Sequence, residues 1–261
     1  MSISNPNSAF RNPKWSHMEL GYRIIRPQDV GSQPLLFAQI SLWRTAAWDV
    51  AEGERAVTEA IGIASACTAR GIRTVFHPLE YPLTNAYAAQ TLDVMRRLAA
   101  ASDLGIILHD EGGADGKGLS AAEAAEFERN LAAISSLCPV SIENAFNSGD
   151  ITRFWDRFVV TAPKSVSITL DIGHLESADI DAIAFVRDLP ERLASRVNFA
   201  HMHHKAEERY GIKDHWPLVA DCREIEALRE LLKRRPGVKV VLELDAAEDG
   251  MSRSIELLKT I

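Results

Sequence analysis

Val140-Ser141-Ile142-Glu143, Ile168-Thr169-Leu170-Asp171 and Val197-Asn198-Phe199-Ala200-His201 are short apolar runs, each closed by a side chain able to bind a metal or move a proton. The same pattern recurs on either side of them, at Arg73-Thr74-Val75-Phe76-His77, Ile106-Ile107-Leu108-His109 and Val240-Val241-Leu242-Glu243. The closing residues stand 32, 34, 28, 30 and 42 positions apart. A strand with its crossover helix takes about thirty residues, so this is the rhythm of a repeated βα unit. With 36 Asp and Glu and 8 His in 261 residues, one of these types falls at roughly one position in six. Allowing three positions per strand end, six in succession arise from composition alone with a probability of about 0.006. The pattern predicts an α/β fold, a single (β/α)8 TIM barrel with its active site at the C-terminal ends of the strands.

The length of 261 residues suits one barrel of about 250 residues. No linker interrupts the rhythm, so residues 18–261 are assigned to the barrel and residues 1–17 to a flexible N-terminal segment. Hydrophobic residues at 46% and charged residues at 25% are ordinary for a soluble domain. A net charge of −7 counts against nucleic acid as a partner, because phosphate contacts want a basic face. The first twenty residues lack the apolar segment of a secretory signal, and no apolar run is long enough to span a bilayer. Cys67, Cys138 and Cys222 are odd in number and far apart. They suggest buried reduced thiols and a cytoplasmic protein.

The remaining elements follow from local signals. Leu20–Arg26 and Leu35–Leu42 read as the first two strands. Helices are expected over Glu54–Arg70, stopped by Gly71, and over Asn85–Ser102. A third helix opens at the capping box Ser120-Ala121-Ala122-Glu123. Further helices are expected over Asp150–Val160, Ile180–Ala194, Glu224–Arg235 and Asp249–Lys259. The residues between His201 and Glu224 read as one long loop, which accounts for the spacing of 42 and is of a length often functional.

Glu143, Asp171, His201 and Glu243 come from the last four strands. Three carboxylates and an imidazole make a hard, oxygen-rich set suited to manganese, zinc, magnesium or cobalt. Without a cation their mutual repulsion would raise their pKa values. His77 and His109 lie on the neighbouring strands, either as ligands of a second ion bridged by Glu143 or as rim and substrate-binding histidines. In Asp171-Ile172-Gly173-His174, Gly173 is expected to allow a sharp turn that brings His174 over the site to meet metal or a substrate hydroxyl. Side chains alternate along a strand, so His203 shares the face of His201, and Met202 and His204 the other. Lys205, with Arg44 and Arg209, is a candidate to hold an anionic group. His215 and Trp216 in Asp214-His215-Trp216-Pro217-Leu218 are candidates to close over a substrate. Gly112-Gly113-Ala114-Asp115-Gly116-Lys117-Gly118 fails as a phosphate loop in spacing and in Gly118, and reads as a lid.

Taken in order, Ser141-Ile142-Glu143-Asn144, Leu170-Asp171-Ile172-Gly173-His174, His201 through Lys205, Asp214 through Leu218 and Leu242-Glu243 resemble the xylose-isomerase-like barrel superfamily over nearly the whole chain. That group holds sugar isomerases and epimerases and the endonuclease IV type of DNA-repair enzyme. The resemblance to the epimerases implies one divalent ion on Glu143, Asp171, His201 and Glu243. It also implies proton exchange by Glu143 and Glu243 next to a carbonyl, and a substrate oxygen on His174. The resemblance to the endonucleases implies three zinc ions, with His77, His109, His174 and His215 joining the ligands. It fails at the ninth ligand, where Lys213 stands for an aspartate unless Asp214 shifts into its place. The expectation is therefore a metal-dependent isomerase or epimerase holding one to three ions. Its partner is a small sugar-like molecule, self-pairing is common among such barrels, and hydrolase and dehydratase chemistry are the rivals.

Overall fold

The computed structural model describes residues 18–33, 35–43, 50–112, 118–145, 150–208, 211–245 and 248–261. The N-terminal segment 1–17, Arg44, Arg209 and lid residues 113–117 lie outside them. Eight parallel strands close a barrel in the order β1-β10-β7-β6-β5-β4-β3-β2. They are β1 (Glu19–Ile24), β2 (Phe37–Trp43), β3 (Arg73–Leu79), β4 (Ile106–His109), β5 (Val140–Glu143), β6 (Val166–Asp171), β7 (Val197–Met202) and β10 (Lys239–Leu242). Helices α1 (Val50–Thr68), α2 (Ala88–Ala101), α3 (Ala121–Ser135), α4 (Ile151–Trp155), α5 (Ile172–Ser177), α6 (Ala182–Asp188), α7 (Glu191–Ala194), α8 (Arg223–Arg234) and α9 (Glu248–Leu258) fill the connections. Among the described residues no helix is long and apolar enough to cross a membrane.

Local chemistry explains several boundaries. Ser120 and Glu123 form the expected capping box, with Ser120 N donating to Glu123 Oε2 at 2.8 Å and Glu123 N to Ser120 Oγ at 3.3 Å. Gly71 leaves α1 at a φ of +72°, a conformation that favours glycine. Three expectations are corrected. The stretch 180–194 is two helices, because Pro190 has no N–H to continue the first. Residues 150–160 start as an α-helix but finish as a π turn, Asp156–Val160. The long loop after β7 contains an antiparallel hairpin, β8 (His204–Glu208) and β9 (Gly211–Trp216). Its strands are too polar to show the alternation of a half-buried sheet.

Alternation along the strands sorts the core. Outward residues such as Ile40, Phe76, Ile142, Leu170, Ala200 and Leu242 pack against the helices. Inward, Phe37, Val75, Ile107, Phe199 and Val241 form a separate buried plug. Gly21 makes room for it, since a Cβ there would meet the Phe37 ring at 2.5 Å. One inward position above the plug the side chains turn polar: Arg23, Gln39, His77, His109, Glu143, Asp171, His201 and Glu243. All but His109 are buried. The plug closes the barrel below and the polar ring faces the C-terminal mouth, where barrels place chemistry.

Candidate metal centre

His201 is the hub of the ring. Its Nδ1 lies 3.0 Å from Glu143 Oε1, 3.1 Å from Glu243 Oε2 and 3.7 Å from Asp171 Oδ2. Ligands bonded at about 2.1 Å with tetrahedral angles stand ~3.4 Å apart; among the described residues, ligand atoms of His77, Glu143, His201 and Glu243 lie within 4.8 Å of one another, and so do those of Glu143, Asp171 and His174. Glu143 Oε2 and Asp171 Oδ2 are buried and accept no hydrogen bond. Leaving a carboxylate oxygen so placed is costly, and a cation removes the cost. Glu143 turns its other oxygen toward β3 and β4: Oε2 is 3.3 Å from His77 Nε2 and 3.9 Å from His109 Nε2. The carboxylate therefore spans the His201 side and a His77–His109 side, whose rings are 4.9 Å apart.

Neighbouring groups fix which oxygen each carboxylate offers. Asp171 Oδ1 caps α5 by accepting from His174 N at 2.7 Å, and lies 3.1 Å from His203 Nε2. Glu243 Oε1 accepts from Gln39 Nε2 at 2.8 Å and lies 3.6 Å from Arg23 Nη1. Asn144 ties β5 to β6, donating from Nδ2 to Asp171 O at 2.9 Å and accepting from Asp171 N at 2.8 Å. Arg23 and Gln39 escaped the sequence reading because they sit on the first two strands, which lack the closing His, Asp or Glu.

A second group stands beside the first: His174, His203, Asp214 and His215. Asp214 Oδ1 is 2.9 Å from His203 Nδ1, and its Oδ2 is 3.5 Å from His174 Nε2. The rings of His203 and His215 stack at 4.5 Å, and His215 Nε2 is 3.7 Å from Glu243 Oε2. The hairpin register explains how Asp214 arrives. His204 pairs with Trp216 and Ala206 with Lys213, so β9 carries one extra residue between those pairs. This is a β-bulge, with His215 at a φ of +55°, and it turns Asp214 and His215 toward the same group.

Gly173 works differently from the expectation. It lies inside α5 rather than in a turn, and a Cβ there would collide with the His203 imidazole. Strand parity places the other members of the motif. Met202 is in the core, and His204 Nδ1 pairs with Glu224 Oε1 at 2.9 Å on α8. Lys205 is not brought to the cluster: its Nζ lies 2.6 Å from Asp179 Oδ1 and donates to Glu176 O at 3.2 Å. Trp216 ends β9, half-buried.

Electrostatics divides the acids. Burial pushes the Glu143 carboxyl up to about 7, even with His201 beside it. Burial also acts on Asp171, but the imidazoles of His174 and His203 outweigh it and hold the carboxyl well below the usual range. Burial of Glu243 is likewise outweighed, by His201 and His215 with Arg23 behind them. Desolvation lowers His77 strongly, and desolvation with His174 draws His109 down to about 4. His201 is raised well above its ordinary value, because Glu143 and Glu243 outweigh its burial. His203, between Asp171 and Asp214, is raised to about 10 despite burial. The carboxylates thus raise both His201 and His203, an environment suited to positive charge.

No protein-family model and no curated protein matches the sequence. Solved structures do match. A xylose isomerase domain protein from Planctomyces limnophilus superposes with a TM-score of 0.62 at 13% identity, over 94% of this chain and 95% of that one. The apo form of 3-keto-D-glucoside 4-epimerase, YcjR, from E. coli gives 0.61 at 13% identity, over 94% and 100%. This chain shares the (β/α)8 barrel fold of these structures. IolI protein with a bound zinc atom gives 0.54 at 11% identity, over 93% and 96%. The chain also spans 42% of a fusion of such a barrel with a 4-hydroxyphenylpyruvate dioxygenase.

Proposed function

We propose that the protein is a divalent-metal-dependent isomerase or epimerase of a sugar or related polyhydroxy carbonyl compound. The observation that carries this reading is the approach of three carboxylates to one His201 ring nitrogen: Glu143 at 3.0 Å, Glu243 at 3.1 Å and Asp171 at 3.7 Å. Asp171 and His201 serve as ligands only, and Glu143 and Glu243 as ligands and acid/base groups. His77 and His109 with Glu143 offer a second position. Manganese or zinc fits this mixed oxygen and nitrogen set, as do magnesium and cobalt. A bound divalent ion supplies Lewis acidity toward the substrate carbonyl and offsets the charge of an enediolate. One glutamate takes the proton from the carbon beside the carbonyl, and the other returns one to the opposite face. Glutamate carboxylates on opposite sides of the reacting carbon suit general acid and base work. His174, His203, His215 and Trp216 lie above the ring at the mouth side and face the substrate. The epimerase activity of YcjR and the zinc in IolI support the reading.

Two measurements test it together: metal content by inductively coupled plasma mass spectrometry, and exchange of carbon-bound hydrogen with solvent deuterium in a panel of ketoses. One or two ions with exchange is the expected result. No ion after incubation with manganese and zinc would overturn it. The bulge that delivers Asp214 favours a second reading, a three-zinc phosphodiester hydrolase. Three zinc ions and incision of abasic DNA would establish it, against a net charge of −7 that weakens a polyanionic substrate. Loss of a hydroxyl after the same proton abstraction would mark a dehydratase.

A further inference from the structure

Arg23 on β1 and Gln39 on β2 are direct register partners in the barrel, so they project from adjacent strands into the same corner of the mouth, beside Glu243. Both side chains are almost wholly buried, Arg23 at 2% exposure and Gln39 at 0%. Their hydrogen bonding is incomplete. Among the described residues Arg23 Nε and Nη2 and Gln39 Oε1 have no hydrogen-bond partner, although Nη2 abuts the Asp245 carboxylate and Nη1 faces Glu243. Buried polar groups are normally satisfied, and each exception calls for an explanation.

The orientation of the Gln39 amide is fixed by its neighbour. Glu243 Oε1, 2.8 Å away, is a carboxylate oxygen and only accepts, so the atom facing it is the donating Nε2. Nε2 also reaches Ser41 Oγ at 3.4 Å. The carbonyl Oε1 is therefore the end left over, and it needs a donor. Arg23 Nε needs an acceptor. A hydroxyl can meet either need, since it accepts with its oxygen and donates with its proton. A phosphate or carboxylate would meet the guanidinium but leave Oε1 without a donor, and would stand beside the carboxylates of Glu243 and Asp245.

We propose that Arg23 and Gln39 form a subsite that binds a hydroxyl of the substrate on the β1–β2 side of the mouth, making the substrate a neutral polyol ketone rather than an acid or phosphate ester. This rests on the isomerase reading and specifies its substrate class. Arg23 and Gln39 are the groups that select among such substrates, and Gln39 in addition holds the far oxygen of Glu243.

The test is isothermal titration calorimetry of the manganese-loaded protein with D-fructose, D-psicose, their monodeoxy analogues and D-fructose 6-phosphate. Wild type is expected to bind one monodeoxy analogue about tenfold more weakly than its parent, the cost of one unmade hydrogen bond at a buried site. In Gln39→Met and in Arg23→Lys that ratio is expected to fall to near one. A purely structural role would weaken parent and analogue alike and keep the ratio, which is the logic of a double-mutant cycle. Metal content and Tm show which variants still fold, and Arg23→Lys keeps the charge should Gln39→Met fail. Equal wild-type affinity for every analogue would mean the orphan atoms hold only water, and would overturn the subsite. Tighter binding of the phosphate, lost in Arg23→Lys, would overturn the neutral substrate class. Binding of no ketose, together with no deuterium exchange, would bring down the isomerase reading and this inference with it.

Discussion

The two groups at the barrel mouth are built in different ways. Glu143, Asp171, His201 and Glu243 sit at the ends of parallel strands, where the ladder sets their height and alternation sets their direction; Asp171 and His201 are paired in register. Asp214 and His215 hang on a hairpin outside the barrel and reach the mouth through a bulge. The first group depends on the whole fold. The second depends on three local devices: the extra residue in β9, the missing side chain at Gly173, and the tie of β8 to Glu224.

The largest effect is expected from the strand-borne set. Asp171→Ala should release the core ion, leave His201 without one of its partners and abolish ketose exchange. Glu143→Gln and Glu243→Gln keep the shape but lose the proton acceptor, and each should lower the rate of exchange by about 10³. Near-native exchange in both glutamine variants would remove the proposed mechanism. If Asp171→Ala stripped only one of several ions and left exchange intact, the hairpin group would be the reactive one.

Gly173→Ala separates the two groups. The new methyl meets the His203 ring, and overpacking of this kind costs about 1–3 kcal/mol. His203 must then move away from Asp171 and Asp214. A lower Tm is expected, with the core ion retained and any ion on the hairpin group lost. Loss of both ions at once would show that His203 supports Asp171 too closely for the groups to be separable.

The same contrast explains what the sequence reveals. Strand-end ligands recur with the βα period, and nothing but a short apolar run is needed to place them, so six of the eight ring positions were legible. Arg23 and Gln39 close no run: they lie inside β1 and β2, and only the closed barrel brings them to Glu243. Gly173 was read as a turn because a glycine after a strand suggests one. Its reason is a close approach by His203, thirty positions further along the chain, and such a contact leaves no local trace. The hairpin is illegible for a related cause. Its pairing is held by backbone and by Glu224, while the sequences HKAEE and GIKDHW show no apolar alternation. Asp214 next to Lys213 carries no hint that a bulge will choose between them.

Glu224→Gln probes the hairpin with a smaller effect. Glu224 Oε1 meets His204 Nδ1 at 2.9 Å and accepts from Lys205 N at 3.1 Å. Burial raises this carboxyl, but His204 and backbone N–H groups outweigh it and hold it below 4.5. A depressed folded-state value means the tie stabilises at pH above the unfolded value and is lost as pH falls through the folded one. At pH 7 the variant should lose about 1 kcal/mol and show faster amide hydrogen exchange over residues 204–216, with the core ion unaffected. Wild type and variant are expected to converge as pH falls through the folded-state value of Glu224; a difference that stays constant across the acid range would show that charge is not what holds the hairpin.

The smallest effect is expected at Lys205. Its position after His203 made it a candidate to hold an anionic substrate group, but its ammonium pairs with Asp179, whose side chain is 82% exposed. An ion pair open to water contributes about 0–1 kcal/mol and weakens with salt. Lys205→Ala should therefore shift Tm by no more than a few degrees and leave metal content and ketose affinity unchanged. A loss of affinity for a phosphorylated ketose alone would mean that the ammonium leaves Asp179 when substrate binds, swinging the hairpin side of the mouth into use.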